Sequence, residues 1–139
     1  MNEIEKLLPH RDPFLFVDEI VEATNEKIVT KRLFAETEYF FKGHFPEYPV
    51  VPGVILVETM AQSGGAGLRK LGVLGDDALF FFATVDKVKF RRQVRPGDEV
   101  RCEIENLRVS PKMIKQRGMA YVGDELAAEA EWMCLVGSK

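Results

Sequence analysis

Two rhythms of apolar residues organise this chain. From Val54 to Leu71 the sequence is apolar on nearly every side of a helix, interrupted by Glu58 and Gln62 one turn apart. A helix apolar all round is a buried one, so the pattern predicts a core helix over about Pro52–Leu71, ended by Gly72. Pro52 falls where a first helical residue would stand. Gly64, Gly65 and Gly67 are poor helix residues, and they predict a sheet or second helix packed close to that backbone.

The second rhythm has period two. Leu126, Ala128, Ala130, Trp132, Cys134 and Val136 share one face of a last strand, with Glu129 and Glu131 on the other. Strands are also expected over Leu15–Ala23, Lys27–Phe34, Ala78–Val94, Glu99–Val109 and Lys112–Val122. The apolar parity switches between Ile104 and Leu107, which predicts a bulge. Arg95-Pro96-Gly97-Asp98 fits a β-turn and Gly123-Asp124 a hairpin. Ile4–Leu8 reads as a short helix stopped by Pro9. Two strands, one long helix and four strands make an α+β fold, a helix covered by an antiparallel sheet. One curved sheet cannot shield a helix on all sides, so a second subunit is expected over the open face.

Length and composition narrow the picture. The 139 residues are expected to form a single domain, 1–139, and 46% hydrophobic content supplies its core. The net charge of −3 argues against general nucleic-acid binding. No apolar run reaches membrane-spanning length and the N-terminus lacks signal-peptide character, so the expectation is a soluble cytoplasmic protein with no membrane partner. Cys102 and Cys134 lack metal-site spacing and are expected as small apolar strand residues.

The candidate chemistry lies just before and inside the long helix. Gly43-His44-Phe45-Pro46-Glu47-Tyr48-Pro49-Val50-Val51-Pro52-Gly53 is held extended by three prolines. It carries His44 to a helix N-terminus. A lone histidine often serves structure, but the rigid loop favours His44 over His10, whose Arg-Asp-Pro surroundings offer no apolar shield. Glu58 is either a solvent-facing carboxylate or, given Val54–Val57, Met60 and Ala61, one whose pKa burial raises. Such a carboxyl can act as an acid beside an imidazole base. Gln62 either fills space or orients Glu58 or a water. Gly53 either permits the turn or offers its N–H to a developing oxyanion. Ser63 and Thr59 carry no mark of an activated nucleophile, one His with one Glu is too few for a metal, and no phosphate loop follows a strand. Proton transfer beside a carbonyl remains, or hydrolysis by an activated water. Lys87, Lys89, Arg91, Arg92 and Arg95 are either a solvated strand face or a docking patch for an acidic partner. Phe80-Phe81-Phe82 either joins the core or lines a tunnel for an apolar chain.

Several of these segments resemble a known family. Gly43-His44-Phe45-Pro46, Pro49-Val50-Val51-Pro52-Gly53-Val54, Glu58 and Ala61-Gln62 are similar to the signature of the (3R)-hydroxyacyl-acyl-carrier-protein dehydratases of type II fatty acid synthesis, the FabZ type. Leu7-Leu8-Pro9-His10-Arg11-Asp12-Pro13-Phe14, Val88-Lys89-Phe90-Arg91-Arg92 and Pro96-Gly97-Asp98 resemble it too, so the likeness spans almost the whole chain. The resemblance implies a hot-dog fold, in homodimers often assembled as trimers of dimers. It implies that His44 and Glu58 are the catalytic pair, with Glu58 supplied by the partner subunit, and that Gly53 N–H binds the thioester carbonyl. It implies an acyl thioester substrate carried on acyl carrier protein, with no cofactor or metal. In the related isomerising dehydratases the carboxylate is typically aspartate, so Glu58 implies the non-isomerising type. Glu47-Tyr48 departs from the family, where a glycine is common after Pro46. Thioester hydrolysis and a non-catalytic acyl-binding module are the alternatives on this fold.

Overall fold

In the computed structural model, which describes residues 1–138, the chain forms two helices, a 3-10 turn and six strands. A short helix α1 (Glu3–Leu7) opens the chain, with Asn2 and Glu5 capping each other's backbone N–H. Then follow β1 (Glu19–Ala23), β2 (Lys27–Leu33), the long helix α2 (Gly53–Lys70), β3 (Ala78–Phe90), β4 (Glu99–Val109), β5 (Met113–Val122) and β6 (Glu125–Ser138). The strands form one antiparallel sheet in the order β1-β2-β4-β5-β6-β3. Helix α2 packs against β1, β2, β4, β5 and β6. This is the hot-dog arrangement expected from the sequence.

The glycines of α2 explain how the sheet comes so close. A Cβ on Gly64 would strike the Gln116 amide, one on Gly65 the Phe80 ring, and one on Gly67 would lie 2.5 Å from Ile28. The buried polar residues beneath are paired: Thr30 and Ser63 share a 2.7 Å hydrogen bond, and Thr59 and Ser63 each donate to a carbonyl one turn back. That explains why neither hydroxyl is an available nucleophile. Trp132 Nε1 donates to Gln116 Oε1, and Gln116 Nε2 to Asn106 Oδ1, so the sheet side is satisfied as well. Cys102 and Cys134 are free and buried, as the pattern predicted.

Most boundaries follow the sequence, and the departures have local causes. Pro52 is the N-cap of α2, not its first helical residue, with extended ψ 138°. Gly72 does end the helix, at φ 78°, with Val73 N–H returning to Leu68 O. The first strand starts at Glu19 instead of Leu15, because Phe16 N–H is taken by the Gln62 side chain and not by a neighbouring strand. β3 stops at Phe90, where Arg91 and Arg92 N–H both turn to Ala127 O. The bulge falls between Asn106 and Arg108, leaving Leu107 as the extra residue. Gly97 (φ 92°) and the Asp98 N–H bond to Arg95 O make the expected turn, and Gly123 (φ 58°) the expected hairpin.

β3 differs from the other long strands. It lies at the edge of the sheet, bonded to β6 alone, and exposes Phe81, Phe82, Val85, Val88 and Phe90. Val54, at the first turn of α2, is 75% exposed. A long apolar edge with unpaired backbone groups is a site for another chain.

Candidate active site

The loop from Gly43 to Pro52 is fastened at several points. Val51 N–H donates to Val94 O at 2.8 Å. Tyr48 Oη donates to Gln93 Oε1 at 2.8 Å, and the Arg95 guanidinium sits 4.1 Å above the Tyr48 ring. The Glu47-Tyr48 departure therefore ties the loop to the segment after β3. Phe45 takes a left-handed φ of 55°, an uncommon conformation for a bulky residue, and its ring lies 4.3 Å from that of His44.

His44 is half-buried, and its Nδ1 lies 3.1 Å from Val50 O. A carbonyl only accepts, so Nδ1 carries a proton, and in the neutral tautomer the lone pair lies on Nε2. The ring lines a cavity of about 520 Å³ together with Val51, Gly53, Val54, Leu56 and Phe90. Gly53 opens α2, whose N-terminus has no side-chain cap, so its N–H is left without a helical partner. The Phe90 ring occupies the space beside it: a Cβ on Gly53 would come within 2.7 Å of Phe90 Cζ. The His44 ring, Gly53 and the N-terminus of α2 thus meet on one cavity, which Arg91, Arg92 and Gln93 also line.

Glu58 stands elsewhere. It does not line that cavity and makes no hydrogen bond or ion pair with His44. Its Oε2 accepts from Gln62 Nε2 at 3.0 Å and lies 3.7 Å from His10 Nε2. Gln62 is fully buried, with its carbonyl accepting from Phe16 N–H and its amide also donating to Phe14 O. Of the two readings left open by the sequence, the contacts are those of an orienting residue. Burial pushes the Glu58 carboxyl above its ordinary value, opposed by the Gln62 hydrogen bond. Glu58 in turn adds to the burial that drives the Cys134 thiol up to about 12.

His10 departs from the lack of apolar shielding expected of its loop: the imidazole is half-buried, 5.8 Å from the Phe80 ring, and burial followed by the Arg11 charge lowers its pKa. The missing signal was long-range: Phe80 is 70 positions away and reaches His10 across α2, over Gly65. Of the phenylalanine triplet, Phe80 alone turns inward while Phe81 and Phe82 are exposed. Among the described residues, no three of His, Cys, Asp and Glu cluster as metal ligands.

Comparison with known proteins gives these features a family. A family model described as a FabA-like domain matches residues 8–131. The chain is 46% identical over 140 residues to a 3-hydroxyacyl-[acyl-carrier-protein] dehydratase FabZ of Desulforamulus reducens, covering 100% of this chain and 98% of that protein. The chain belongs to the FabZ dehydratase family. It is also 43% identical to the FabZ of Clostridium perfringens, over 99% of this chain and 98% of that one. Among solved structures, the dehydratase heterocomplex ApeI:P of Xenorhabdus doucetiae superimposes with a TM-score of 0.83 at 16% identity, covering 100% of this chain and 93% of that chain. A hypothetical thioesterase with coenzyme A from Streptococcus pneumoniae superimposes at 0.64 with 11% identity, over 87% and 86%. At those identities the two structures share the fold alone.

The basic segment of this FabZ-family chain is largely engaged with its own acidic residues. Lys87 pairs with Glu131 at 3.3 Å and Arg91 with Glu129 at 3.0 Å. Arg92 lies 3.9 Å from both Asp98 and Glu125, and Arg95 covers Tyr48. Lys89 is exposed and has no ion pair among the described residues. Among the described residues, no helix is long and apolar enough to cross a membrane.

Proposed function

We infer that this protein is a hydro-lyase that dehydrates (3R)-hydroxyacyl thioesters on acyl carrier protein to the trans-2-enoyl thioester. Full-length identity of 46% to a FabZ dehydratase supports the activity. The residue roles rest on one observation above the others: the His44–Val50 hydrogen bond leaves a basic Nε2 in the cavity that Gly53 N–H also borders.

In the proposed mechanism, His44 Nε2 takes the proton from C2. The thioester oxygen gains charge as it does, and Gly53 N–H with the α2 dipole stabilises it. Glu58 gives its proton to the C3 oxygen, the C3–O bond breaks, the C2–C3 double bond forms and water leaves. A positioned base contributes about 10² to 10⁴ in rate and an oxyanion donor roughly 10² to 10³. Because Glu58 and His44 do not meet within one chain, the acid comes from a second copy docked along β3 and the exposed Val54. Each residue 1–139 unit is then half of two sites, in a cytoplasmic homodimer that can assemble further as a trimer of dimers.

The experiment mixes purified protein with a 3-hydroxyacyl thioester and follows the enoyl absorbance together with free thiol. Enoyl signal without thiol is the expected result. Thiol release from a saturated acyl thioester would replace this reading with hydrolysis. His44→Ala and Glu58→Gln are each expected to be inactive and folded. Co-refolded together they regain part of the wild-type rate, since a mixed dimer holds one intact site. Failure of co-refolding to restore activity would place both residues in one chain's site or outside it.

A further inference from the structure

We propose that His10 is a positioning residue for the Glu58 acid: a neutral imidazole whose Nε2–H joins Gln62 Nε2–H on Glu58 Oε2 and leaves Oε1 to carry the reacting proton. This rests on the acid role proposed for Glu58.

The geometry assigns the two carboxylate oxygens different tasks. Gln62 Nε2 donates to Oε2 at 3.0 Å, and His10 Nε2 stands 3.7 Å from the same atom. Oε1 has no hydrogen bond among the described residues. The His10 contact is longer than a hydrogen bond in the free enzyme, and such contacts shorten when substrate closes a site.

The other ring nitrogen fixes the protonation state. His10 Nδ1 is buried and has no hydrogen-bond partner. A proton there would bury an unpaired N–H, and an imidazolium would bury an unpaired charge as well. A bare lone pair is the least costly choice, so the single proton lies on Nε2, toward Glu58. Arg11 reinforces this. Its guanidinium is held by the carbonyls of Glu5, Leu8 and His10, and its charge opposes a second charge on the ring.

Among the described residues of one chain, the charged and titratable groups around Glu58 are few, and the second copy proposed above adds its His44 across the substrate. His10, with Arg11 behind it, faces it from the N-terminal loop, and Cys134 faces it from β6 with its thiol fully protonated at neutral pH. When Oε1 gives its proton to the departing C3 hydroxyl, the negative charge left on the carboxylate is met at Oε2 by two N–H donors. No proton leaves His10, and the step balances between Glu58 and the leaving water.

The test compares wild type, His10→Phe, His10→Gln and Glu58→Gln on a small 3-hydroxyacyl thioester, recording kcat and KM across pH with thermal melts. His10→Phe keeps the ring and loses the donor. It is expected to lower kcat roughly 10- to 100-fold with KM little changed, as for loss of a hydrogen bond to a charged group. It should also move the alkaline limb of kcat upward, because the carboxylate has lost a donor and holds its proton longer. His10→Gln restores a neutral N–H near the Nε2 position and should recover most of the rate and the wild-type limb. Unchanged kinetics in His10→Phe would overturn the proposal. So would a lower kcat with an unmoved limb and a lower Tm, the signature of a packing role, or His10→Gln as impaired as His10→Phe, which would require a ring that ionises. An active Glu58→Gln would instead overturn the acid role itself.

Discussion

Gln62 Nε2 donates to Glu58 Oε2 at 3.0 Å while Gln62 Oε1 accepts from Phe16 N–H at 2.8 Å, so one buried amide joins the carboxylate to the backbone of the N-terminal loop. Gln62→Leu keeps the volume and removes every bond. It strands Phe16 N–H and the Phe14 carbonyl, at about 1 to 3 kcal/mol for each group left unsatisfied. The expected loss is therefore about 2 to 6 kcal/mol in a denaturant titration, together with a fall in kcat from a disoriented Glu58. A variant as stable as wild type would show that water replaces the amide.

The half-buried Glu58 carboxyl costs stability at high pH. Burial raises its folded pKa above the unfolded value, so the folded state binds its proton more tightly. Stability from this group is present at low pH and is lost as pH rises through the folded value. Glu58→Gln removes the loss. The variant should melt higher than wild type at pH 8, with the difference shrinking toward pH 4, while turnover disappears. A difference independent of pH would contradict the raised pKa.

The α2–sheet contact has no room at Gly67. A Cβ there would lie 2.5 Å from Ile28, whose side chain is fully buried. Gly67→Ala is expected to cost about 1 to 3 kcal/mol through overpacking, despite the better helix propensity of alanine. Pairing it with Ile28→Val should recover part of the loss in a thermal melt, and additive effects would mean that the two positions do not share the space.

Lys89 has no ion pair among the described residues, whereas Lys87 and Arg91 hold Glu131 and Glu129, so Lys89 is the expected contact for the acidic carrier protein proposed above. Lys89→Glu should raise KM for the carrier-bound substrate by up to about fivefold, the scale of one exposed ion pair. KM for a small thioester should stay unchanged, and the effect should fade at high salt. Arg91→Glu acts differently, since it sets a carboxylate against Glu129 and loosens the β3–β6 register. Equal shifts on both substrates would count against docking at Lys89.

The order of elements was legible in the sequence because it depends on local periodicity. The α2 span, the β6 alternation, the bulge at Leu107 and the two glycine turns each follow from residues within a few positions of one another. The rigid loop bearing His44 and the apolar helix that half-buries Glu58 were legible for the same reason. The full-length resemblance supplied the fold family and the activity that sequence identity then supported.

Tertiary structure alone decided the rest. Gln62 ties Glu58 to the N-terminal loop because residues 14 and 16 come to lie against its amide, 48 and 46 positions away. His10 became a half-buried neighbour of Glu58 as Phe80 packs across Gly65 of α2. The basic segment that looked like one patch resolved into ion pairs once β3 registered against β6. A sequence fixes which residues are apolar and at what spacing, and that suffices for helices and strands. Which polar groups meet depends on contacts between distant segments, and those exist only after the core has closed.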